Sequence, residues 1–208
     1  MNRKLGMLAS IVTLLAVLGF AISMLAGLDN GNYLSSIFIA LGFVSMVCAF
    51  ASYSEKDLKA ASYTAMLFSA IYGIIVSIVY FAQLTTVQMT DLSEEADLLL
   101  NYNKFNLIFN YDLLGYSFMA LATFFTGLAL KAKCSRDKWL KGLLMIHGIF
   151  AACFILPLLG IFKAGMEGGD LIGNIVLEFW CAYFTPLCIL SYIYFKKQER
   201  EMNSADIT

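Results

Sequence analysis

Charge, histidine and proline are all scarce in this chain of 208 residues, and each scarcity excludes a class of function. Asp, Glu, Lys and Arg make up only 14% of it against 60% hydrophobic residues, with a mean hydropathy of +0.76. Soluble domains carry about a quarter charged residues, so a soluble monomer is excluded. The single histidine, His147, excludes bis-histidine haem, histidine-box di-iron and H-E-x-x-H zinc chemistry, since each needs at least two imidazoles. No G-x-S-x-G, P-loop or G-x-G-x-x-G occurs, so nothing points to an enzyme and no cofactor is implied. A formal net charge of -1 offers no basic face for phosphates, which excludes nucleic acid as a partner. The two prolines exclude proline-rich and collagen-like classes. The five cysteines form no C-x-x-C pair, and four lie inside apolar runs, so they read as free thiols.

What the chain does have is long uncharged runs. Leu5 to Leu28 is 24 residues without a charge and Asn30 to Ser54 is 25, each longer than the roughly 20 needed to cross the hydrocarbon core as a helix. Cutting at charged clusters predicts six spans, at about 5–28, 33–53, 60–84, 112–130, 139–162 and 171–195. The first exceeds a signal-peptide core and lacks a clear cleavage site, so it reads as a retained span. Twelve of the 14 Lys and Arg residues fall on one side, leaving Lys104 and Lys163 opposite; the positive-inside rule makes both termini cytoplasmic. The one sizeable connection, about Thr85 to Tyr111, starts with an acidic D-x-x-E capping pattern at Asp91 to Glu94. An interfacial helix over about 92–109 is expected there, resting on the bundle as a connector or acting as a lid or docking element. Ala60 to Thr90, 31 uncharged residues, is longer than a span needs and must tilt, bend or project.

Four polar residues in costly places are the candidates for a polar cavity or coupling site. Glu178 lies eight positions into the sixth span, with Asn174 one turn above it and Pro186 two turns below. An acid, an amide and a bent helix are the parts of a cation or proton site, although a protonated Glu178 bonded to a neighbouring helix would satisfy the same pattern. His147, eight residues into span five from the cytoplasmic side, reads first as an interhelical hydrogen-bond partner and second as a relay group. Asp112 at the head of span four reads first as a helix cap and second as sharing one cavity mouth with Glu178. Pro157 is expected to kink span five. Ser and Thr are expected to bond within their own or neighbouring helices, and Trp139, Trp180, Tyr33, Tyr53 and Tyr192 to form interfacial belts. Small-residue stripes at Ala65, Ser69, Gly73 and Ser77, and at Gly169 with Gly173, suit close helix packing or homodimerisation.

The string Tyr111-Asp112-x-x-Gly115, the small-residue run from Ala120 to Gly127 and the basic turn from Lys131 to Lys141 resemble uncharacterised six-span bacterial integral membrane proteins. The resemblance covers the C-terminal half and implies a bacterial inner-membrane setting, with no known activity to carry over. The expected fold is therefore an all-α polytopic bundle of six transmembrane helices in one domain, plus one outer interfacial helix. A non-enzymatic structural, accessory or sensing role comes first, with the lipid bilayer as surroundings and a second copy or another membrane protein as partner. A small transporter or permease for a cation, proton or small solute, coupled through Glu178, is the alternative, and a lipid-acting membrane enzyme comes third. No residue pattern indicates a ligand.

Overall fold

A computed structural model of the chain describes residues 1–162 and 171–205, and among these there is no strand. Six helical segments are long and apolar enough to span a membrane. Helices α1 (Asn2–Leu25), α2 (Asp29–Ser52) and α3 (Lys59–Leu84) form three of them. A short helix α4 (Glu94–Leu100) and a 3-10 turn (Tyr102–Lys104) lead into α5 (Leu107–Ala129). The fifth span is composite: α6 (Ser135–His147), a 3-10 stretch (Gly148–Phe154) and α7 (Ile155–Leu158). Helix α8 (Leu171–Ala205) runs unbroken through Pro186. The spans pack as a ring, α1 on α2, α2 on α3, α3 on α5, α5 on α6, α6 on α8 and α8 back on α1.

The sequence builds this ring as a molecule whose solvent is lipid. Leu8, Leu15 and Ile22 recur every seven residues on α1 and are 61%, 63% and 67% exposed, so the outward stripe is aliphatic. Inward faces instead carry small and hydroxyl residues that let backbones approach. A Cβ on Gly42 would lie 3.0 Å from the Thr13 backbone nitrogen, so α1 and α2 cross in close contact there. Ser10, Thr13, Ser36 and Thr126 donate to the carbonyl four residues back in their own helices, as expected for hydroxyls in spans. Ala65 and Ser69 of the α3 stripe are buried, and Gly73 meets Val44 of α2. Aromatic rings fill the centre: Phe43 packs on Tyr72 at 5.5 Å and on Phe184 at 6.1 Å.

At the basic end Asp137 is buried and accepts from the Lys133 and Cys134 backbone N–H groups and from Lys197 of α8, tying the turn before α6 to the end of α8. At the opposite end the structure departs from the expected helix over 92–109. The cap falls on Ser93, which accepts from the Ala96 N–H, and the helix stops after seven residues. Asn101 diverts the chain by bonding Asp97 and the Asn103 N–H, and Phe105 turns it through a left-handed conformation (φ 49°). Helix α5 thus begins at Leu107, five residues before the expected start, with Asn106 as its N-cap. Asp112 is therefore not a cap but an interior residue of the helix.

Two other expectations are corrected. Trp180 and Tyr33 are not belt residues: each is only 7% exposed, because each points into the ring. Span five leaves α-helical geometry at Gly148, where a 3-10 stretch starts nine residues before Pro157. The Ser117 hydroxyl accepts from the Phe154 N–H, giving that irregular backbone a partner. The Gly169 part of the second small-residue stripe lies outside the described residues.

Candidate functional site

Asp112 is a buried acid, 1% exposed. Its Oδ2 accepts from the Tyr80 hydroxyl of α3 at 3.1 Å and from the Tyr102 hydroxyl of the 3-10 turn at 3.1 Å. Its Oδ1 is sequestered with no hydrogen-bond partner among the described residues, and the same holds for the wholly buried Tyr72 hydroxyl. Tyr33 extends the cluster from α2, its ring 5.7 Å from that of Tyr80 and 6.3 Å from that of Tyr102. One turn further along α5, Tyr116 packs on Tyr72 at 5.8 Å and edge-on against Trp180 of α8. The carboxylate thus meets neutral hydroxyls and rings from several elements.

Tyr102 reaches this site because its backbone is clamped. Gln83, 1% exposed near the end of α3, donates from Nε2 to the Leu100 carbonyl at 2.7 Å and accepts at Oε1 from the Tyr102 N–H at 2.9 Å. Those two partners allow only one orientation of the amide. Gln88 adds bonds to the Gln83 carbonyl and to Asn30 at the start of α2. Residues 94–105 therefore form a cap across this end of the ring, with one phenol inserted. Burial first, and the Asp112 carboxylate second, hold the Tyr102 phenol well above its ordinary range, so it remains a donor. Phe105 and Phe109 close the flank by packing on Phe162 at 5.5 Å and 4.8 Å.

His147 belongs to a second buried arrangement. The Trp180 indole N–H donates to its Nε2 at 3.0 Å, and Thr123 lies 2.9 Å from its Nδ1. An indole can only donate, so Nε2 is the acceptor and the ring proton sits on Nδ1, donating to the Thr123 oxygen. The Thr123 hydroxyl in turn donates to the Ala120 carbonyl at 2.7 Å. Both ring nitrogens are thereby occupied, and α5, α6 and α8 are joined through one imidazole.

No family model, curated protein or solved structure matches the chain. The site is therefore read from its own geometry.

Glu178 and Asn174 lie together, apart from Asp112. They line a recess of about 310 Å³ with Ile175 of α8 and Met24 and Leu25 of α1. Glu178 is half-buried, and its Oε1 has no hydrogen-bond partner among the described residues. Asp112 and His147 do not line this recess. Among the described residues no three His, Cys, Asp or Glu side chains come together as metal ligands. Sequence reasoning missed Tyr80, Tyr102 and Gln83. Gln83 was visible as an amide inside an apolar run, whereas the two tyrosines carried no local mark.

Proposed function

We propose that this integral membrane protein has a non-enzymatic sensing or accessory role, with residues 94–105 as its sensing element. The single observation that supports the reading is the hydrogen bond from the cap's Tyr102 to Asp112, a carboxylate within α5 and bonded also to α3. A segment lying at an aqueous end and bonded directly to two spans passes any change in its own docking to them. In this reading the basic end is cytoplasmic and the cap faces outward across a bacterial inner membrane, following the uneven Lys and Arg distribution. A cysteine replacing Ser93 should then react with an impermeant thiol reagent applied to intact cells, and one replacing Ser135 should not. The reverse pattern overturns the orientation.

The sensing role is tested by releasing the cap. Tyr102→Phe should speed hydrogen exchange at residues 101–105 and also alter the thiol reactivity of the native Cys134, at the far end of the ring. A released cap with unchanged Cys134 reactivity would show that nothing is transmitted. A second reading, a small transporter coupled through Glu178, is favoured by the recess that Glu178 shares with Asn174. It predicts gradient-driven solute uptake into liposomes that Glu178→Gln abolishes without loss of folding, and uptake unaffected by that change would refute the coupling role.

A further inference from the structure

We infer that Glu178 and Asn174 form a binding site for a primary ammonium group carried on a hydrocarbon tail, as an aminophospholipid or an alkylamine presents it. This names a ligand class for the recess of the second reading, and it rests on that reading for any consequence beyond binding.

The recess is built on one face of α8. Asn174 and Glu178 are four residues apart and so lie one above the other on the helix, with Ile175 beside them and Met24 and Leu25 of α1 completing the wall. Its volume of about 310 Å³ is that of a small-ligand pocket. Met24 and Leu25 belong to the last turn of α1, and Asn30, just beyond that helix, bonds Gln88 at the cap end. Glu178 is therefore level with the end of a span, beside the headgroup border of the leaflet at the cap end, where a charge costs less than at the bilayer centre. Leu25 and Ile175 are strongly exposed, as are Val176 and Phe179 next to them on α8, so the recess opens sideways onto lipid and not into the ring.

The chemistry of the wall selects the ligand. The Glu178 carboxylate and the Asn174 carbonyl oxygen accept hydrogen bonds, and a primary ammonium brings three N–H donors and the matching charge. A quaternary ammonium has no N–H to give and is recognised instead by aromatic faces. Met24, Leu25 and Ile175 are apolar, which suits a hydrocarbon tail and offers no side-chain oxygen to a metal ion of the calcium or magnesium kind. An aminophospholipid carries its ammonium at this depth with its tails already in the bilayer, so it reaches the recess with much of its freedom already spent.

The test is native mass spectrometry of the full chain in detergent micelles holding equal amounts of phosphatidylethanolamine and phosphatidylcholine with identical tails. The two lipids differ only in N-methylation, so their bound ratio reads the N–H donors. The wild type should retain phosphatidylethanolamine about ten-fold over phosphatidylcholine, the effect of one charge-assisted hydrogen bond. Glu178→Gln should bring the ratio close to parity, and Asn174→Leu should lower it. Should Glu178→Gln fail to fold, Leu25→Trp, which fills the recess from an exposed position, should also abolish the preference. Equal retention of the two lipids by the wild type overturns the proposal, as does a preference that survives Glu178→Gln. A preference that calcium abolishes at fixed pH also overturns it, in favour of a metal-ion site. Dissolved butylamine separates the sources: displacement of the lipid supports an ammonium site open to soluble amines, and continued retention supports one that holds the lipid. Selective retention together with solute uptake that Glu178→Gln leaves unchanged keeps the ammonium site and removes the coupling role, so the two failures are distinguishable.

Discussion

Gln83→Leu isolates the clamp that holds the cap. The leucine nearly conserves volume inside α3, but it leaves the Leu100 carbonyl and the Tyr102 N–H without partners while the cap stays docked. A buried polar group left unpaired costs about 1–3 kcal/mol. Both backbone groups are only part-buried, so the lower figure applies to each, and docking should weaken by about 2 kcal/mol. At 1.4 kcal/mol per decade, cap opening should increase about 30-fold. The undocked cap recovers both bonds from water, so the ring itself should not lose stability. Hydrogen exchange read by mass spectrometry, peptide by peptide, separates the two effects: residues 100–105 should exchange faster while the inner turns of α2, α3 and α5 keep their protection. An unchanged rate at 100–105 would refute the clamp, and a uniform rise across all spans would refute the idea that the cap opens separately.

Other expectations concern the ring. Trp180→Phe leaves the His147 Nε2 without its donor and should lower stability by about 1–3 kcal/mol; in a His147→Phe background the same change should cost less, and equal costs in both backgrounds would contradict the bond. Gly42→Ala forces α1 and α2 apart at backbone contact and should destabilise by about 1–3 kcal/mol. Gly142→Ala, where an added Cβ meets nothing within 4 Å, should be neutral or stabilising by up to about 1 kcal/mol, and thermal unfolding in detergent compares the pair.

The six spans were legible because the membrane imposes one pattern, an uncharged run of sufficient length, on every crossing helix. The cap was only partly legible. Its acidic start was visible at Asp91 to Glu95, but its end depended on contacts made across the fold, the Tyr102 N–H on Gln83 and the Phe105 ring on Phe162. Placing the start of α5 five residues too late is what made Asp112 look like a helix cap. His147 read correctly as an interhelical partner because a lone imidazole in a span needs one, but its donor Trp180 read as an interfacial anchor. An aromatic near a span end has the same local sequence whether it faces lipid or the interior. The tyrosines of the Asp112 site were hidden for the same reason, since in a chain with 11 tyrosines the ones that bond a carboxylate are chosen by helix packing.

The direct bond between cap and carboxylate is best tested by a double-mutant cycle of Tyr102→Phe and Asp112→Asn, read as the free energy of cap opening from hydrogen exchange at neutral pH. If the Tyr102 hydroxyl donates to Asp112, the two changes should be non-additive, with a coupling energy of about 0.5–3 kcal/mol. Additive effects would mean that the phenol and the carboxylate act independently, contradicting the account of a cap held by the buried carboxyl.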